Sequence, residues 1–151
     1  MGMKPPLTAA ALVVLLLAAA CGGLSEAERH HNDGVELSEQ GQWEEAIEEF
    51  DKAIELDPNL AKAHDVRGFA YSLLGDYERA IADFDKAIEL DPNYALAYLV
   101  RACAYAELGN FQQAIADAEQ ALSLTNDSNV VTGLEQLIEE LRTGALEICR
   151  S

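Results

Sequence analysis

The sequence predicts an all-α protein, a solenoid of helix-turn-helix repeats, and three observations carry that expectation. Ala, Leu and Glu dominate the 151 residues while β-branched and aromatic residues are sparse, which is the composition of a helical chain. A 34-residue period runs through the middle of the chain: Glu44–Leu60 recurs at Glu78–Tyr94 with 13 of 17 residues identical. Within each period apolar residues recur at spacings of three and four on both sides of a glycine, so each unit reads as two amphipathic helices around a turn. One modest core is all that this length supplies.

At the N-terminus, Met1–Pro6 carry Lys4, and Leu7–Ala20 form an uncharged apolar run of 14 residues. The run is short for a membrane-spanning helix, which needs roughly 20 apolar residues, and suits the export signal expected over residues 1–20. Leu17-Ala18-Ala19-Ala20-Cys21 resembles the lipobox of bacterial lipoproteins. That resemblance implies cleavage before Cys21, lipidation of its sulfur, and a short tether over residues 21–25. Ala18 stands where the family usually has leucine. Ala18 and Ala20 also form an A-x-A site for ordinary secretion, so a periplasmic or secreted protein and an uncleaved anchor stay open beside the exported, membrane-anchored envelope lipoprotein.

Ser25 and Glu28 make a capping box that starts the first helix. Three units follow, residues 27–60, 61–94 and 95–128, in register at Gly41/Gly75/Gly109, Trp43/Tyr77/Phe111, Ala46/Ala80/Ala114 and Ala53/Ala87/Ala121. In the second unit Ala63, Ala70, Tyr71 and Leu74 form one stripe. Tyr77, Ala80, Ile81, Phe84, Ala87, Ile88 and Leu90 form the other. Gly75 is placed to end the first helix in the left-handed conformation, and Asp76 to cap the second. Pro92 is read as the start of the following helix. Neither helix has enough apolar surface to stand alone, so neighbouring units must stack. After a turn at 125–129, the stripe Val130, Val131, Leu134, Leu137, Ile138 and Leu141 predicts a C-terminal capping helix over 129–148, with Glu135, Gln136, Glu139, Glu140 and Arg142 facing water.

This pattern resembles the tetratricopeptide repeat (TPR). Gly68, Tyr71, Ala80, Phe84 and Pro92 carry the resemblance in the second unit, and Gly34, Ala46, Phe50 and Pro58 in the first. The third unit keeps Tyr98, Tyr105 and Ala114 but has Ala102 for the glycine, Ala118 for the phenylalanine and Asn126 for the proline. The resemblance covers residues 27–128. It implies a concave surface lined by the first helix of each pair, which holds a partner's peptide or helix.

Chemistry has little support. A net charge of −17 argues against nucleic acid as a partner. His30 and His64 occupy equivalent places where an aromatic packs, and no metal ligand set is legible around His30, His31 or His64 at an established sequence spacing. Cys103 has no adjacent His–Asp arrangement, and whether it pairs with Cys149 is not set by spacing. Glu44, Glu45, Glu48, Glu49 and Asp51 read as a solvated face. No cofactor and no catalysis are expected.

The family's register sets Glu28, His31, Val35, Lys62, Asp65, Phe69, Leu73, Leu99 and Cys103 toward the groove. Some intracellular relatives clamp a partner's C-terminal carboxylate with Lys and Asn on these helices; here those places hold His31, Val35, Val66, Leu96 and Val100, so the clamp is missing. The function expected is a protein-interaction scaffold of the cell envelope. A self-associating structural module and a binder of a small envelope ligand are the alternatives.

Overall fold

The computed structural model describes residues 24–143, which form seven helices and no strand. These are α1 (Glu26–Glu39), α2 (Trp43–Leu56), α3 (Ala61–Leu73), α4 (Tyr77–Leu90), α5 (Ala95–Glu107), α6 (Phe111–Leu124) and α7 (Ser128–Thr143). Residues 1–23 and 144–151, and with them the signal segment, Cys21, Cys149 and the end of the expected capping helix, lie outside the described residues.

The capping box read from sequence is present at the start of α1. Ser25 Oγ accepts from the Glu28 amide at 3.1 Å, and the Ser25 amide donates to Glu28 Oε2 at 2.7 Å. Between the helices of each pair the chain turns at a glycine with positive φ: Gly41 at 76°, Gly75 at 79° and Gly109 at 76°. The Asp76 amide reaches back to the Tyr71 carbonyl at 2.9 Å, which closes the last turn of α3. Asp76 then accepts from the Arg79 amide and starts α4.

The connections between pairs differ from the sequence reading. Pro92 does not open the next helix. It sits in a turn in which the Asp91 side chain accepts from the Asn93 amide at 3.1 Å and the Tyr94 amide donates to the Asp91 carbonyl at 3.1 Å, so α5 starts only after Tyr94. The self-contained aspartate turn satisfies the polar groups that a proline-led helix start leaves to water.

Each hairpin packs along its length, and successive hairpins stack through α2 on α3, α4 on α5 and α6 on α7. The contact surface is built mainly from alanine: Ala46, Ala53, Ala63, Ala80, Ala87, Ala97, Ala102 and Ala114 have no exposed surface. Small residues let the backbones approach, and Phe50 and Phe84, both fully buried, fill what remains. Gly34 and Gly68 exist for these rings. A Cβ at Gly68 falls 2.8 Å from Phe84 Cε1 and 3.1 Å from the Ala80 carbonyl oxygen, and one at Gly34 collides with the Phe50 ring.

The third repeat resolves two of its three departures from the family pattern by the same geometry. Ala102 and Ala118, at the equivalent positions, are both buried in one cluster, so the methyl gained on α5 occupies room released when the ring on α6 became a methyl. They are a single compensated change. Leu134, Leu137, Ile138 and Leu141 of α7 complete that cluster, as the apolar stripe predicts, whereas Val130 at the start of the stripe stays exposed.

Candidate groove and its supporting ion pairs

The expected groove residues divide into two sets. Phe69 and Leu73, on successive turns of α3, keep 45% and 50% of their surface exposed. With Ser72, Tyr77, Val100, Cys103 and Glu107 they line a cleft of about 340 Å³ between α3 and α5. Phe69 also closes the neighbouring apolar cleft against Val35, Trp43 and Val66. Val35, Phe69, Leu73 and Cys103 therefore share one face. An aromatic and an aliphatic side chain, each about half in water on one face of α3, make a surface that an apolar partner can cover.

Leu99 and Asp65 do not join it as expected. Leu99 is half-buried against the core cluster of the third repeat and lines a separate apolar pocket with Leu96, Val130 and Leu134 of α7. The more exposed leucine there is Leu96, at 49%. Asp65 is buried, with Oδ2 accepting from the Tyr94 hydroxyl at 2.7 Å and Oδ1 shielded from solvent without a hydrogen-bond partner. Burial raises its carboxyl above the usual range, and the Tyr94 hydrogen bond offsets only part of that. A tyrosine that arrives 29 residues later covers it, which register alone does not show. Glu28, His31 and Lys62 line a further cleft of about 420 Å³ with Asn32 and Tyr94. Burial, then the Lys62 charge, holds the His31 imidazole below its ordinary pKa, so it is neutral there at neutral pH.

The groove helices are held by ion pairs that sequence reading missed. Arg67 on α3 donates from Nε and Nη2 to Asp83 on α4 at 2.8 and 2.6 Å, and from Nη1 to Asp51 on α2 at 2.5 Å. Arg101 on α5 repeats this one unit later, donating to Asp117 from Nε and Nη2 at 2.7 Å and also pairing with Asp85. Each arginine thus ties three helices across a repeat boundary. Burial opposes the Arg67 charge, and the hydrogen bonds to Asp83 and Asp51 more than offset it. Buried Asp83 also meets His64, whose Nδ1 lies 3.4 Å from Oδ1, while His64 Nε2 donates to the Pro58 carbonyl at 3.1 Å. His64 packs inside, as its register implies. His30 is only half-buried and pairs with Glu49 at 2.6 Å. Glu49 is accordingly not part of a solvated face, Asp51 is paired yet half-exposed, and Glu44, Glu45 and Glu48 are exposed. The signal for the arginine ties was present in the period: Arg67/Arg101, Asp83/Asp117 and Asp51/Asp85 all recur at 34 residues.

Comparison with known families agrees with this architecture. The TPR repeat matches residues 34–75, and the tetratricopeptide repeat matches residues 61–94 and again 84–116. The second TPR of Spaghetti (RPAP3), solved bound to the HSP90 peptide SRMEEVD, is 32% identical over 67% of this chain and 94% of that one, with a TM-score of 0.66. The chain belongs to the tetratricopeptide-repeat family. Two further tetratricopeptide-repeat structures are similar. The TPR2B domain of yeast Sti1, in its pHsp70 complex, is 26% identical over 78% of this chain and 97% of that one, with a TM-score of 0.74. The Arabidopsis OM64 TPR domain is 27% identical over 78% and 95%, with a TM-score of 0.72. No curated protein matches the sequence. Tetratricopeptide-repeat domains are non-catalytic interaction modules. No helix among the described residues is long and apolar enough to cross a membrane.

Proposed function

We propose that this chain is a non-catalytic adaptor of the bacterial cell envelope, tethered through a lipid on Cys21, that holds a partner's peptide or helix across Phe69 and Leu73. The exposure of these two side chains on the inner helix α3, beside a cleft that reaches α5, carries the reading. Two solved relatives, the Spaghetti and yeast Sti1 domains, are complexes with chaperone peptides, which supports a peptide ligand here. The ligand differs in chemistry from the acidic SRMEEVD. With −17 net charge and without the Lys and Asn of the carboxylate clamp, the groove favours an apolar anchor flanked by basic residues.

Phe69→Ala and Leu73→Ala are each expected to weaken capture of the envelope partner about tenfold or more with helical content unchanged, since neither is a core residue. Glu44→Gln with Glu48→Gln, on exposed positions of α2, should leave capture intact. Affinity and melting temperature measured on the same variants decide the matter: normal binding by Phe69→Ala, or loss of binding through the α2 changes, removes the groove assignment. Leu99→Ala is a poorer probe, because its contacts with the third-repeat core tie binding to stability.

The tether has its own test. Four residues, Gly22 to Ser25, separate Cys21 from α1, a span of at most about 15 Å when extended. Acyl chains contribute about 0.8 kcal/mol per buried methylene, enough for two or more to hold an acidic domain at the membrane. Cys21→Ser should move the protein from the membrane to the soluble fraction, and an unprocessed variant that resists alkaline washing overturns lipidation in favour of an uncleaved anchor.

A further inference from the structure

The arginine ties place a cation at equivalent positions in the second and third repeats but not in the first. Position 67 is Arg, position 101 is Arg, and the corresponding residue of α1 is Asp33. The carboxylate each arginine grips, Asp83 or Asp117, corresponds to Glu49 on α2, and His64 corresponds to His30. The first repeat therefore keeps the acceptor and replaces the guanidinium with a second carboxylate. Ligand atoms of His30, Asp33 and Glu49 lie within 4.8 Å of one another. An open cavity of about 330 Å³ beside them is lined by Asp33, Glu49, Glu36 and Gln40. Beside them Lys52, half-exposed, donates to Glu49 Oε1 at 2.7 Å.

We propose that the first repeat binds a divalent transition-metal ion of the zinc class through His30 Nδ1, Asp33 and Glu49 Oε2, in the place where the other repeats hold an arginine. An imidazole nitrogen with two carboxylates matches zinc better than magnesium or calcium, which prefer all-oxygen sets. Tetrahedral ligands at about 2.0–2.2 Å from an ion stand about 3.4 Å apart, so small side-chain rotations close the set around it. Ligation takes the neutral ring in its Nε2–H tautomer: Nδ1 gives up the proton shared with Glu49 at 2.6 Å, Nε2 takes one from solvent, and the Nδ1 lone pair faces the ion while Glu49 Oε1 keeps Lys52. The ion bridges α1 and α2 as Arg67 bridges α3 and α4, and its occupancy stiffens the N-terminal repeat. Sequence spacing hides the set because its ligands come from two helices, separated by 3 and 16 residues.

The test uses the full chain in detergent, stripped of metal by chelator and with its thiols alkylated. Titration with zinc chloride should show one site, and at a hundredfold excess over the dissociation constant the melting temperature should rise by about 5–10 °C, with magnesium chloride having no such effect. His30→Gln and Asp33→Asn should each weaken zinc binding at least tenfold. Asp33→Arg restores the residue of the other repeats, and should raise the metal-free melting temperature while abolishing the zinc response. Three results overturn the proposal: a wild-type chain that melts identically with and without zinc, undiminished binding in both His30→Gln and Asp33→Asn, or an Asp33→Arg chain that responds to zinc like wild type.

Discussion

Phe84→Ala is expected to lower stability by about 3–5 kcal/mol, because the ring is wholly buried between α3, α4 and the next repeat and the surrounding alanines cannot collapse into its place. Gly68→Ala is expected to cost about 1–3 kcal/mol by the opposite fault, a methyl forced against the same ring and against the Ala80 carbonyl. Combined, the two changes should cost clearly less than the sum of their separate effects. Together they rebuild in the second repeat the alanine pair that the third repeat already carries at Ala102 and Ala118. Denaturant unfolding of the four members of this cycle reads the coupling directly, and strict additivity would show that Gly68 and Phe84 do not sense each other.

The second large effect is expected at Arg67→Met, at about 3 kcal/mol near neutral pH. The loss leaves Asp83 buried with only His64 beside it, and an uncompensated buried carboxylate costs more than the pair contributes when intact. Its pH dependence distinguishes charge from packing. In the native chain burial pushes the Asp83 carboxyl up, but the hydrogen bonds from Arg67 and His64 outweigh it and hold the group below its ordinary 3.8. A carboxyl depressed by folding contributes stability that is present above pH 3.8 and lost as pH falls below it. In Arg67→Met burial is left to dominate and the shift reverses, so the variant gains stability relative to the native chain as the solution is acidified. The gap between the two melting temperatures should narrow from pH 7 toward pH 4. A gap that stays constant over that range assigns the effect to lost packing of the Arg67 stem.

The seven helices, their lengths and their order were determined by local sequence, because capping pairs such as Ser25–Glu28, glycines at 41, 75 and 109, and the three-and-four apolar spacing act within a few residues of themselves. The 34-residue period added the stacking, since no single hairpin covers its own alanines. That Phe69 and Leu73 share one helix face was legible for the same reason: position on an amphipathic helix sets the face. What register cannot express is the length and reach of side chains arriving from elsewhere. Tyr94, 29 residues beyond Asp65, decides that this aspartate is buried; α7 decides that Leu99 is core as much as surface; and Gly68 with Phe84, or Ala102 with Ala118, makes sense only when two helices are seen to share one volume. The ties of Arg67 and Arg101, and the gathering of His30, Asp33 and Glu49, likewise depend on groups 16 to 19 residues apart meeting across a helix pair. Backbone periodicity is a local property, while charge pairing and close packing are sums over neighbours that only the folded chain brings within range.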